Sequence, residues 1–205
     1  MKTIGDFEDL IVLHVPDAPS AVMQHVLRHA ITRFMRESQI FTDFMCLESQ
    51  CGVPEYPLEL PECRRLVGVE AVEVGKDADV SLSEIRPNAG KGWEWYMDSM
   101  YPVVVLLYPP KKDGEKIHVM YSWTIARDDC EVPDELYEIW AEAIKCAALA
   151  DLFAMPSQEW SNLGLSRLYE NYYSVELGLA KSRRWHNYSR GSGTVQSRPF
   201  LSPRR

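Results

Sequence analysis

Residues 117–125 read Ile-His-Val-Met-Tyr-Ser-Trp-Thr-Ile, and residues 132–135 read Val-Pro-Asp-Glu. In the first stretch Ile117, Val119, Tyr121, Trp123 and Ile125 share one face, and His118, Met120, Ser122 and Thr124 share the other. That is the two-residue period of a β-strand. The second stretch is a helix start, with proline in the first turn and acids at the positive end of the helix dipole. Beyond it the apolar spacing turns helical, with Leu136, Trp140, Ala143 or Ile144, and Ala147 on one face up to Met155. The chain thus passes from β to α between residues 126 and 132, and this switch decides the fold class.

Upstream of the switch, Val103 to Tyr108 is unbroken and apolar, which predicts a strand buried on both faces. Pro109 to Lys116 reads as a hairpin loop joining it to the strand at 117–125, with Asp113-Gly114 as the turn. Leu66 to Val74 is rich in β-branched residues, and Val80 to Ile85 partly alternates. Residues 56–126 therefore predict a small antiparallel β domain. Before it, Pro16-Asp17-Ala18-Pro19-Ser20 predicts a helix start, with Asp17 or Ser20 as cap and Pro19 in the first turn. The spacing predicts a helix from Ser20 to Leu47, closed by Gly52, Pro54 and Pro57. Val22, Val26 and Ala30 mark one stripe, and Met23, Leu27, Ile31 and Phe34 the next. A face this wide belongs to a packed helix and not to a narrow coiled-coil seam. The run Leu10 to Val15 suits a strand or an early helix turn.

Downstream, the alanine-rich stretch 141–150 lets another helix approach closely, and Pro156 breaks the helix. A last helix is predicted over 162–186, with Leu165, Leu168, Tyr172, Val175 and Leu179 as its apolar stripe. The short linker makes the two an antiparallel hairpin. Its packing is assigned to Trp140, Ala143, Ala147, Trp160, Leu168 and Tyr172. The expected architecture is α+β: a bundle of long helices (residues 1–55 and 127–187), the β domain (56–126) inserted between the first and second long helices, and an extended C-terminal tail (188–205).

The net charge of −8 conceals an asymmetry. Residues 181–205 hold seven basic residues and no acid, which leaves the first 180 residues at −15. An acidic body is poorly suited to gripping nucleic acid, and a basic tail is suited to an acidic surface on a partner or another copy. The tail around Gly191-Ser192-Gly193 carries one apolar pair, Phe200-Leu201, together with Arg190, Arg198, Pro199, Arg204 and Arg205. The five cysteines, 46, 51, 63, 130 and 146, have neither disulfide-framework nor zinc spacing, so reduced thiols in a cytosolic compartment are expected. No apolar run reaches the roughly 20 residues of a membrane-spanning helix. The first residues mix Lys2 with Asp6, Glu8 and Asp9, unlike a secretory signal.

Catalytic words are scarce. His25 and His29 share a helix face at metal-ligand spacing, but no third ligand accompanies them. Gly90-Lys91-Gly92 is too short to cradle phosphate. Asp128-Asp129 and Asp134-Glu135 read as solvated acids, and Trp93, Trp95 and Tyr96 as packing aromatics rather than a base-stacking platform. The expectation is no enzyme, no cofactor and no metal.

One resemblance adds to this. It rests on Leu107-Tyr108-Pro109-Pro110, Ile117 to Ser122, Val132 to Leu136, Ala143 to Pro156, and Trp160-Ser161-Asn162 with Leu165, Tyr169, Tyr172 and Tyr173. Earlier, Leu58 to Pro61 and Val69 to Val72 add to it. In these stretches the chain resembles bacteriophage head-to-tail connector (adaptor) proteins of the tail tubular A-type, or gatekeeper, family. It departs from them at Thr124-Ile125-Ala126, where a proline is expected, and at Cys146-Ala147, where a glycine is expected. The resemblance implies a structural virion protein of the neck, assembled in the host cytoplasm. It implies a homo-oligomeric ring, a dodecamer, that docks under the portal protein, extends the DNA channel and offers an attachment platform to a downstream tail or nozzle protein. Double-stranded DNA would pass through without sequence-specific binding, and no membrane is involved. The basic tail, through Arg190, Arg198, Pro199, Phe200, Leu201, Arg204 and Arg205, would dock on the portal or a neighbouring copy. Other readings are another phage assembly factor, such as a tail completion protein or chaperone-like binder, and an enzyme whose site is not evident.

Overall fold

The fold is mixed α+β in a computed structural model that describes residues 2–74, 95–97, 102–106, 108, 110–126 and 131–189. A short 3₁₀ helix, η1 (Ile4–Leu10), opens the chain and is followed by helix α1 (Ser20–Ser38). Strands β1 (Thr42–Glu48), β2 (Glu55–Pro57), β3 (Arg64–Val74), β4 (Trp95–Met97), β5 (Val103–Leu106) and β6 (Lys116–Ile125) come next. Helices α2 (Asp134–Glu138), α3 (Ala141–Ala154) and α4 (Leu163–Ser189) close the described order.

Helix α1 buries the wide face read from its sequence: Met23, Val26, Leu27, Ala30, Ile31 and Phe34 are all in the core. Its start differs from expectation, since Pro19 is itself the cap residue and Ser20 Oγ donates to Glu8 instead of capping. Its end differs more. The helix stops at Ser38 and does not reach Leu47, because Gln39 takes a left-handed conformation (φ 50°) and its N–H returns to the Met35 carbonyl. No glycine announces this stop. The residues beyond it, Thr42 to Glu48, form β1 and pair antiparallel with β6 from Thr42↔Ser122 to Glu48↔Lys116.

The strands form two three-stranded antiparallel sheets, ordered β1-β6-β3 and β2-β5-β4. The expected hairpin between the strands at 103–108 and 117–125 does not exist, since β5 and β6 lie in different sheets. The loop between them reaches instead to residues 49–51. Gly114, at φ +76°, donates its N–H to the Ser49 carbonyl (2.9 Å), and Asp113 Oδ1 accepts from the Cys51 N–H (2.7 Å). Strand β5 buries Val104 and Leu106 and leaves Val103 and Val105 half-buried, so only one of its faces is sealed. Strand β6 is covered on both sides. Val119, Met120, Tyr121, Ser122, Thr124 and Ile125 are all buried. Its polar face survives burial because Ser122 Oγ donates to the Gly68 carbonyl (3.2 Å) and Thr124 Oγ1 lies 3.7 Å from Met35 Sδ. The expected strand at Val80–Ile85 lies outside the described residues.

The helical end is organised around α3. Ala143, Ala147, Ala148 and Leu149 are fully enclosed, and both α1 and α4 pack on this helix. Trp140 caps α3 and packs against Phe34 with ring centroids 5.5 Å apart. The helix expected to run unbroken from 132 to 155 is split at Ile139-Trp140 into α2 and α3. Helix α4 returns antiparallel to α3: Ser166 Oγ donates to the Ala150 carbonyl near one end, and Arg183 lies over the Trp140 ring near the other. Asn162 Oδ1 accepts the N–H groups of Gly164 and Leu165 and so starts α4.

Candidate functional site

Helix α4 carries the most conspicuous surface. Leu165, Leu168, Tyr172, Val175 and Leu179, the apolar stripe read from sequence, face outward and are 37–62% exposed, including Leu168 and Tyr172, which were expected to pack into the hairpin. The seam is filled by other residues: Tyr173 and Ala180 are buried, and Tyr169 and Leu177 pack against the core. The physical reason lies in α3, whose small alanines draw α4 in close along the Tyr173–Ala180 line. Of the hairpin residues named from sequence, Trp140, Ala143 and Ala147 are buried and Trp160 is half-buried. Leu168 and Tyr172 are on the opposite side of α4, in solvent.

The outward residues recur at spacings of three and four, which is the narrow stripe of a coiled-coil seam. Leu163, also exposed, extends the patch at the helix start. Between Leu163 and Arg183 the exposed charged residues are Arg167, Lys181 and Arg183, and the acids Glu170 and Glu176 are half-buried. Glu170 is held by Arg33 of α1 through both guanidinium ends, and Arg33 also bonds Glu37 (3.1 Å). Hydrogen bonding to Glu170 raises the Arg33 pKa further, against the opposing effect of burial, so this cation is permanent. Tyr173 Oη donates to Glu37 Oε2 at 2.8 Å. Burial is the main cause that lifts the Tyr173 phenol well above its ordinary pKa, and the Glu37 hydrogen bond adds to it. Near the far end of α4, Arg184 binds Glu70 of β3 and Gln39 (2.7 Å) and ties helix to sheet.

A second surface escaped the sequence reading. Arg28, His29, Arg33 and Arg36 of α1 meet Arg65 of β3 and Thr124 of β6 around an open cleft of about 790 Å³. The signal was present in the spacing 28, 33, 36 on one side of α1, within a body read only as acidic. His29, one of the two histidines at metal-ligand spacing for which no metal was expected, bonds Asp151 through Nδ1 (2.8 Å). Among the described residues no group of three or more His, Cys, Asp or Glu side chains could hold a metal ion.

The cysteines divide. Cys46 and Cys51 are exposed thiols, and Cys146 is buried in α3, where burial and then Glu142 push its thiol up to about 12. Cys63 is disulfide-bonded, which corrects the expectation of reduced thiols throughout. The tail residues Arg190, Arg198, Pro199, Phe200, Leu201, Arg204 and Arg205, and the Gly90, Trp93 and Asp128-Asp129 stretches, lie outside the described residues. Among those described, no helix is long and apolar enough to cross a membrane. No family model matches the chain, and comparison with curated proteins finds no match.

Proposed function

We propose that the protein is a structural subunit of a phage neck, a head-to-tail adaptor that assembles as a ring below a portal, extends the DNA channel and offers the tail its attachment platform. The observation that carries this reading is the outward stripe on α4. Five large apolar side chains in register on one rigid helix form a surface built for another protein, since singly scattered apolar residues are ordinary but aligned ones mark contact sites. The sequence resemblance to gatekeeper-type connectors supplies the kind of assembly, and the helical hairpin followed by a basic tail agrees with it. In this reading the finer architecture is a helical bundle carrying the β sheets as an insertion. The acidic body suits a channel through which DNA slides, because like charges repel.

The test is the mass of the chain alone and mixed with the portal protein of the same genome, by light scattering or mass photometry. The expected result is a weakly associating chain that adds as a complete ring to the portal. Absence of any portal complex refutes the adaptor role, and a one-to-one complex indicates a different assembly factor.

A further inference from the structure

The cleft between α1 and the β1-β6-β3 sheet gathers guanidinium groups on two walls. On α1, Arg28, Thr32 and Arg36 recur every four residues, and His29 and Arg33 follow one step further round, so all five share one face of the helix. On the sheet, Arg65 of β3 pairs with Thr124 of β6, and paired residues point to the same side. Thr124 Oγ1 lies 3.7 Å from Met35 Sδ, so that side is the one turned towards α1. Arg65 therefore enters the cleft from the sheet wall, and Arg28 and Arg36 from the helix wall. Arg33 is already held by Glu37 and Glu170, and His29 by Asp151. Arg36 and Arg65 are exposed, and among the described residues no acid forms an ion pair with either. Cations gathered without a counter-charge repel one another, and the arrangement becomes favourable when an anion lies between them.

Three features narrow the anion. The cations are all forked guanidiniums on two walls, with no lysine among the lining residues. A tetrahedral phosphate accepts hydrogen bonds from several directions at once, whereas a carboxylate offers two oxygens in one plane. The cleft volume of about 790 Å³ is that of a small-molecule site. The chain as a whole carries −8, which repels an extended polyanion such as duplex DNA or an acidic peptide more than it repels a small ion. We propose that this cleft binds a phosphate dianion, as the free ion or as the head of a small phosphomonoester, clamped between Arg36 and Arg65. Arg28 and Arg33 add positive field from the helix wall, and the Thr32 hydroxyl is a further donor there. Leu66 and Val67 give the organic part of an ester an apolar surface to rest on. The site is complete in one chain and does not depend on ring assembly.

Isothermal titration calorimetry of the full chain, at neutral pH and low salt in a phosphate-free buffer, tests it with four probes: inorganic phosphate, phenyl phosphate, tetraglutamate and a short DNA duplex. Both phosphate compounds are expected to bind saturably. Arg36→Gln and Arg65→Gln each weaken that binding about tenfold, the loss of a charge-assisted hydrogen bond. Circular dichroism melting shows an unchanged fold for both variants, since neither side chain is buried. Arg167→Gln, the same loss of charge on the exposed side of α4, binds like wild type. Tighter binding of phenyl phosphate than of inorganic phosphate identifies an ester as the ligand, and equal or weaker binding identifies the free ion; both results sustain the site. Absence of saturable binding by either phosphate compound overturns the inference. So does phosphate binding that survives Arg36→Gln/Arg65→Gln, or an equal loss at Arg167→Gln, which marks non-specific attraction. Tighter binding of tetraglutamate or of the duplex than of phenyl phosphate overturns the phosphate assignment and makes the cleft a peptide or nucleic-acid site instead.

Discussion

Tyr172 and Tyr173 are chemically identical neighbours on α4 with opposite surroundings, 51% and 1% exposed. Replacing each by alanine tests which side of the helix holds the fold. At Tyr173 the substitution removes a fully enclosed aromatic ring beside α3, stacked under the Arg33 guanidinium at 4.4 Å. A buried aromatic cut to alanine costs about 3–5 kcal/mol, the transfer term plus the cavity left behind. For a chain of this size that lowers the melting temperature by roughly 10 °C. Tyr173→Phe keeps the ring and removes only the hydroxyl that donates to Glu37, which Arg33 still holds. That change costs about 1 kcal/mol. At Tyr172 the ring is half in solvent and meets Tyr169 edge-on at 6.2 Å, and alanine is the better helix former, so the net change stays within about 0.5 kcal/mol. Urea unfolding at dilute concentration, where self-association is absent, reads all three. Equal losses for Tyr172→Ala and Tyr173→Ala, or a larger loss at Tyr172, would refute the assigned facing of α4.

Alkaline stability carries the mark of Cys146. Its folded pKa of about 12 lies above the ordinary 9.0, so the folded state holds that proton more tightly, and stability is intact below pH 9 and falls as pH rises toward 12. The loss is at most about 4 kcal/mol, and Cys146→Ala flattens the slope in urea midpoints measured from neutral to alkaline pH. Tyr173, raised in the same direction, steepens the decline above pH 10. Arg184→Met leaves Glu70, 12% exposed, without its cation and lowers stability by about 3–5 kcal/mol in chemical denaturation, and adding Glu70→Met restores most of it. Gly114→Ala forces a side chain into a left-handed turn at φ +76° and costs about 1–2 kcal/mol by thermal melting. Gly178→Ala, with open space around its α-carbon in mid-helix, raises stability by up to about 1 kcal/mol.

Much of the backbone was legible because its signals are local. The alternation at 117–125, the β-branched run at 66–74 and the break at Pro156 each depend on a few adjacent residues, and each marks an observed element or end. Strand β1 was hidden because Phe41, Phe44, Met45 and Leu47 continue a helix-like apolar pattern, and the stop at Gln39 needs a left-handed residue that sequence does not flag. The false hairpin had a related cause: Asp113-Gly114 makes a turn, but a turn does not choose the partner of the strands it separates. The candidate site was half legible. An apolar stripe at three-four spacing says that a helix meets something, and its composition does not say whether the partner is in the same chain. The alanine-rich surface of α3, against which α4 lays its Tyr173–Ala180 line, is what turns the other stripe outward.

The placement of β6 has a consequence for how the chain is made. Both β1 and β3 depend on it for pairing, yet it is the last of the described strands, residues 116–125 against 42–48 and 64–74. On a ribosome the first two strands emerge with open edges and wait for a partner synthesised far later. Pairing of this kind is slow to close and leaves the nascent chain open to wrong association in the interval. The β1-β6-β3 sheet therefore completes late in synthesis, and truncated chains ending before residue 116 are expected to aggregate rather than fold.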